Sequence, residues 1–227
     1  MTIGAGGSRP EISEIVAGLT GVSIVAIGGA IALVRLGLEP VTLGIILSAL
    51  SGIGGMAGFF AAFLLRLRSW AAFGIRATSW RWILIGAGAG VLAFVAKGAA
   101  ILAYVALTGD ERTPQDVYAT GASGGTWTMI ATTFFLSIVT PIGEEFLFRG
   151  VVTTALLRYG GVIGVVGGAV IFAIFHGINM VFPAALVTGL AAGEVFRRSG
   201  SIWPAVMVHV MVNLPTIPVM LLAKAAA

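Results

Sequence analysis

The chain has 227 residues, 58% of them hydrophobic and only 10% charged, with a formal net charge of +4. Soluble domains carry about 25% charged residues, so the composition excludes an ordinary soluble domain and indicates a polytopic, all-α transmembrane bundle. There is no cysteine, which excludes disulfides, thiolate metal sites and a cysteine nucleophile. The basic residues are scattered between apolar segments, so they report membrane topology and not nucleic-acid binding.

In chain order, residues 1–14 form an N-terminal tail. No basic region leads into a short apolar core, and the apolar run that follows is too long for a signal peptide, so it is expected to be retained as a span. Ile15–Val34 is a charge-free run of 20 residues, enough to cross a bilayer. Arg35–Pro40 is a tight connection. Val41–Leu65 is the second span, and its SGIGGMAG centre allows close helix approach. Arg66–Arg81 carries Arg66, Arg68, Arg76 and Arg81 with Trp70 and Trp80, and reads as an amphipathic segment in the interface. Ile83–Leu107 is the third span, with Lys97 inside it. Thr108–Gly125 is polar and reads as a loop. Trp127 begins the fourth helix; Val162–Gly177, Phe182–Phe196 and Ile202–Leu222 are the fifth, sixth and seventh.

Residues 15–222 thus make one transmembrane domain of about seven helices, and 223–227 a C-terminal tail. Nine arginines fall on one side of this topology, and Arg35, Arg112 and Lys224 on the other. The imbalance predicts a cytoplasmic N-terminus in a multi-pass membrane protein, with the plasma membrane of a prokaryote as the expected location.

The most informative stretch is PIGEEFLFRG, Pro141–Gly150. It places two carboxylates and a guanidinium within six residues between apolar flanks. Each such group at membrane depth costs roughly 2.5–3.5 kcal/mol on insertion scales. Glu145 and Arg149 are four apart, in the favourable order, and are expected to neutralise each other. Glu144 is rotated about 100° from Glu145 on a 3.6-residue helix, so it is left as an unpaired carboxylate. Such a group, held away from water, is a competent general base. Both histidines lie in apolar helices: His176 four residues after Phe172, and His209 four before Asn213, on a shared face. Packing or a helix–helix hydrogen bond is the plain reading of either one alone. Glu144 and His176 each lie 16 residues from Gly160, which brings both to one depth, roughly 24 Å from that turn. Lys97 is expected to snorkel or to pair within the bundle, and Glu194 to pair with Arg197 and Arg198.

The set Glu144-Glu145-x-x-x-Arg149, Phe172-x-x-x-His176 and His209-x-x-x-Asn213 resembles the CAAX-protease and bacteriocin-processing (CPBP, Abi) family of intramembrane proteases, whose best-known branch is the CAAX prenyl endopeptidase. The motifs occur in order on separate helices between Trp127 and Asn213. The resemblance implies an endopeptidase in which Glu144 activates a water and His176 helps to hold it. His209 and Asn213 would donate to the developing oxyanion. Glu145 and Arg149 would brace the site, and Phe172 would pack beside His176. A zinc site formed by Glu144, His176 and His209 is the competing arrangement; the metal-free one is favoured. The implied partners are the lipid bilayer and a peptide or protein substrate with a membrane-associated or lipidated segment. Two other readings stay open: a proton- or solute-coupled transporter using Glu144 and His176 as a relay, and a catalytically silent immunity or scaffold protein of the same fold.

Overall fold

The computed structural model describes residues 9–226; residues 1–8 of the expected N-terminal tail and the final residue of the C-terminal tail lie outside the described residues. Among the described residues every regular element is a helix. In chain order they are α1 (Ile12–Arg35), α2 (Pro40–Leu65), α3 (Trp80–Thr108), the short α4 (Asp116–Gly121), α5 (Thr126–Tyr159), α6 (Ile163–Phe175), α7 (Val181–Ser199), α8 (Ile202–Asn213) and α9 (Thr216–Ala226). Among the described residues, five stretches are long and apolar enough to cross a membrane: α1, α2, α3, α5 and the run Ile202–Ala223 across α8 and α9.

The expected fifth and sixth spans correspond to α6 and α7, which fall outside those five. α6 is short because the chain turns at Gly177, whose φ of +81° is open to glycine. α7 has 19 residues, but its last turns hold Glu194, Arg197 and Arg198. These pair locally, with Glu194 Oε2 at 2.7 Å from Arg197 Nε. The two helices form a hairpin between Gly160 and Gly200.

Helix starts follow local chemistry. Glu39 caps α2, accepting from the backbone N–H groups of Val41 and Thr42 at 3.0 and 2.9 Å, with Pro40 at the first helical position. Those donors hold the Glu39 carboxyl below its usual range. The polar Thr108–Gly125 connection, expected to be a loop, contains α4. Six residues are too few for a stable isolated helix, so packing forms this one. Gly121 lies so close to α2 that an added methyl group would sit 2.7 Å from the Gly44 carbonyl carbon.

α2 is central to one half of the bundle and packs against α1, α4 and α5; α3 packs against α7 and α8 in the other half. The outward faces are apolar, with Ile24, Ile31, Leu84, Leu92, Val95 and Leu102 exposed, as lipid contact requires. The Arg66–Arg81 segment, expected to be interfacial, is irregular apart from a 3-10 turn at Trp70–Phe73. Trp80 is exposed, whereas Phe73 is fully buried against Phe59 and Phe63. The segment is therefore pinned to the bundle by an aromatic cluster.

The same end gathers the basic residues. Arg66 Nε is 3.0 Å from Glu14 Oε1, and Arg158 Nη2 is 3.3 Å from Glu11 Oε1. Arg76 donates to the Gly200 carbonyl. These contacts place the start of α1, the end of α2, the end of α5 and the α7–α8 turn on one face.

Candidate active site

The site is built on irregularities in α5. Two π turns, Phe135–Val139 and Phe146–Thr153, flank an α-helical segment, Thr140–Glu145. A π turn adds a residue to the turn and rotates the faces that follow. The Thr140 N–H bonds to the Phe135 carbonyl, five residues back. The same offset from Leu136 reaches Pro141, which has no N–H. Asn213 fills that vacancy: its Nδ2 donates to the Leu136 carbonyl at 3.1 Å.

Close backbone packing then positions the carboxylates. Gly52 and Gly55 of α2 lie directly on α5, and a methyl group on Gly55 would fall 2.6 Å from the Gly143 carbonyl carbon. This approach delivers Ser51, whose hydroxyl donates to Glu144 Oε1. Thr140 Oγ1 donates to the Ser48 carbonyl at 2.9 Å in the same contact.

Glu144, Glu145 and Arg149 are all buried, at 2%, 0% and 1% exposure. Arg149 Nε is 2.9 Å from Glu145 Oε2, and its guanidinium carbon lies 4.7 Å over the Phe172 ring. Glu145 has a second partner that the sequence did not reveal: His209 Nδ1 lies 2.8 Å from its Oε1. A carboxylate accepts, so Nδ1 carries the proton and His209 presents Nε2 to the other side. There Nε2 is 3.7 Å from Glu144 Oε2. That oxygen is buried and has no hydrogen-bond partner. The two consecutive carboxylates diverge around the helix, and one imidazole spans them.

His176 closes α6 with φ −88° and ψ −2°. Its Nδ1 lies 2.9 Å from the Phe172 carbonyl. A carbonyl can only accept, so this hydrogen bond sets the tautomer and leaves Nε2 without a proton in the neutral ring. Asn179 Nδ2 donates to the His176 carbonyl at 3.0 Å and steadies the turn. Phe172 stands between the polar groups, with ring centroids 4.6 Å from His176 and 5.6 Å from His209.

Glu144, His176, His209 and Asn213 all line one cavity of about 750 Å³, within the range of small-ligand and peptide pockets. Its far end is bounded by Thr113, Gln115 and Asp116, beside α4. Tyr118 of α4 also lines it, and burial pushes the phenol up to about 12. Phe172 also lines it, whereas Glu145 and Arg149 lie behind the lining.

Two sequence expectations are modified. Glu144 is not left without a partner, because Ser51 holds one of its oxygens. Asn213 shares the cavity but spends an N–H on α5. Ser51 itself was missed; its only signal was its place on the glycine-rich face of the second span. Among the described residues, no group of three or more His, Asp or Glu side chains is arranged to hold a metal ion.

Residues 126–215 match the family model of type II CAAX prenyl endopeptidase Rce1-like proteins. No curated protein and no solved structure gives a significant match. The matched segment contains the three motifs and four of the cavity's polar groups: Glu144, His176, His209 and Asn213. The match thus makes residues 126–215, within a helical bundle whose outer faces suit lipid, similar to the type II CAAX prenyl endopeptidases.

Proposed function

We propose that the protein hydrolyses a peptide bond of a membrane-associated or lipidated substrate, using a water activated by Glu144 without a metal ion. The observation that carries this is the buried, unpartnered Glu144 Oε2, facing His209 Nε2 at 3.7 Å on the wall of the cavity. Ser51 occupies the other oxygen, which leaves Oε2 as the atom that takes a proton. The bare Nε2 of His176 accepts the second hydrogen of the same water. As the oxygen attacks the carbonyl carbon, its proton passes to Glu144 and negative charge collects on the carbonyl oxygen.

His209 is the donor to that oxyanion: with Nδ1 held by Glu145, its Nε2 faces the cavity and, when it carries a proton, donates as an oxyanion hole requires. Asn213 retains a second N–H beyond the one given to Leu136. When the tetrahedral intermediate collapses, Glu144 returns its proton to the departing amine. Phe172 and Phe148 exclude bulk water from the back of the site. The host membrane in this reading is the plasma membrane of a prokaryote.

The test compares wild type with Glu144→Gln in lipid vesicles, given membrane fractions of the source cells, with new peptide termini mapped by mass spectrometry. Loss of a positioned general base lowers turnover by about 10²–10⁴-fold, with the thermal midpoint retained. Termini that persist in the variant overturn the assignment. A chelator leaves wild-type turnover unchanged; inhibition that zinc reverses restores the Glu144–His176–His209 metal arrangement.

A further inference from the structure

Most hydrogen-bond donors on the cavity wall are spent inside the protein. The hydroxyls of Ser51, Thr140, Thr188 and Thr216 donate to Glu144 and to the carbonyls of Ser48, Ala184 and Val212, respectively. Lys97 does not snorkel: its ammonium donates to the Val212 carbonyl at 2.9 Å and to Thr216 Oγ1 at 3.1 Å. Asn213 gives one of its two N–H groups to the Leu136 carbonyl. Tyr118 differs. Its side chain lines the cavity, and among the described residues no protein group accepts from its phenol. A tyrosine hydroxyl held away from solvent usually finds a partner, and leaving that bond unmade costs about 1–3 kcal/mol. The partner of Tyr118 is therefore sought in what enters the cavity.

The packing of α4 places this phenol beside the reacting groups. Val117 and Gly121 press on α2 at Gly44, where an added methyl group would strike the Val117 carbonyl oxygen. Tyr118 itself packs against Ala122, Leu136 and Ile217. Leu136 is the residue whose carbonyl Asn213 holds, and Ile217 follows Asn213 by four residues. The phenol thus stands on the Asn213 side of Glu144. Burial, and then the nearby charge of Glu144, push it up to about 12. At neutral pH the hydroxyl keeps its hydrogen. It donates a hydrogen bond but is too weak an acid to protonate a departing amine. Such a group suits stabilisation of an anion and not proton transfer.

We propose that Tyr118 donates its phenolic hydrogen to the carbonyl oxygen of the bond being cut, as a further catalytic residue of the oxyanion hole beside His209 and Asn213. This rests on the peptidase reading of the cavity, and it adds a residue of α4, outside the segment that matches the family model. It also supplies a donor on the side where Asn213 has already spent an N–H. Proton balance is unchanged: Tyr118 keeps its hydrogen throughout, and Glu144 takes and returns the proton of the water.

Two probes test this on full-length protein in lipid vesicles. One is a lipidated peptide carrying a sequence that the wild type cuts in the terminus mapping. The other is the phosphinic peptide of the same sequence, in which PO2⁻–CH2 replaces the scissile CO–NH and mimics the tetrahedral intermediate. Tyr118→Phe lowers kcat by about 10²-fold, the scale of one oxyanion donor, with KM and the thermal midpoint retained. The phosphinic peptide loses affinity by the same factor as kcat/KM. Affinity for the uncut peptide, read in the Glu144→Gln background, does not change. Equal turnover in wild type and Tyr118→Phe overturns the proposal. So does a rise in KM alone, or an equal loss of affinity for both peptides, because Tyr118 then binds substrate without favouring the transition state. A measurement on the intact phenol covers a variant that fails to fold. The chain has three tyrosines, so in Tyr104→Phe/Tyr159→Phe protein Tyr118 is the only one left. Its ¹³Cζ resonance shifts when the phosphinic peptide binds, and an unmoved resonance overturns the proposal. If the wild type cuts no peptide, the peptidase reading fails and this proposal with it; if it cuts and Tyr118→Phe cuts as fast, this proposal alone fails.

Discussion

At the scale of single residues, Glu145 has more to hold than its pairing with Arg149 suggested. One oxygen faces Arg149 Nε and the other His209 Nδ1, at 2.9 and 2.8 Å. Arg149 cannot reach water, and its two terminal nitrogens have no hydrogen-bond partner in the protein. Glu145→Gln therefore leaves a buried guanidinium without its counter-charge. Removing one partner of a buried ion pair costs about 3–5 kcal/mol, so the thermal midpoint in detergent falls clearly. A midpoint equal to that of the wild type would count against the brace. The adjacent Glu144 has the opposite profile, since Glu144→Gln keeps shape and packing and removes the base.

At the scale of elements, the contact of α2 with α5 sets the geometry. In lipid there is little hydrophobic drive between helices, so association relies on close packing of small residues. Gly52, Gly55 and Gly143 provide it, and Ser51 reaches Glu144 only because those backbones touch. Gly143→Ala inserts a methyl group against the Gly52 backbone. Overpacking of this kind costs about 1–3 kcal/mol, and moving α2 away also withdraws the Ser51 hydroxyl from Glu144. Both stability and turnover fall. Gly88→Ala on α3 is the control: nothing lies within 4 Å of the added atom, and it leaves both unchanged. A tolerant Gly143→Ala would show that the interface is looser than this contact.

At the scale of the whole molecule, charge and cavity lie at opposite ends. The arginine-rich face holds Arg66, Arg76, Arg158 and Arg197, whereas the cavity extends toward Thr113–Asp116 beside α4. The α6–α7 hairpin starts and ends on the arginine-rich face, so α8 has the same direction whether these helices cross fully or only partly. The orientation expected from arginine counts is thus independent of that question. The absence of cysteine makes it measurable, because each introduced thiol is unique. With a membrane-impermeant maleimide on intact cells, Glu111→Cys labels and Ser69→Cys does so only after lysis. The reverse pattern inverts the topology and turns the cavity end toward the cytoplasm.

The sequence by itself determined the helical membrane class, because 58% hydrophobic residues in long uncharged runs have few alternatives. It also marked Glu144, Glu145, Arg149, His176 and His209, since ionisable groups in apolar helices stand out against their surroundings, with Asn213 on the His209 face; Phe172 entered only through the family resemblance. Three things were left to the tertiary structure. Glu145 binds His209 across helices, and no spacing along one helix contains that. Ser51 and Lys97 gain their meaning from neighbours 93 and 115 residues away. α5 departs from regular α geometry on both sides of Thr140–Glu145, where a proline and packing against α2 and α8 override helical propensity. Local pattern decides which groups are costly to bury; only the packing of distant backbones decides what each is buried against.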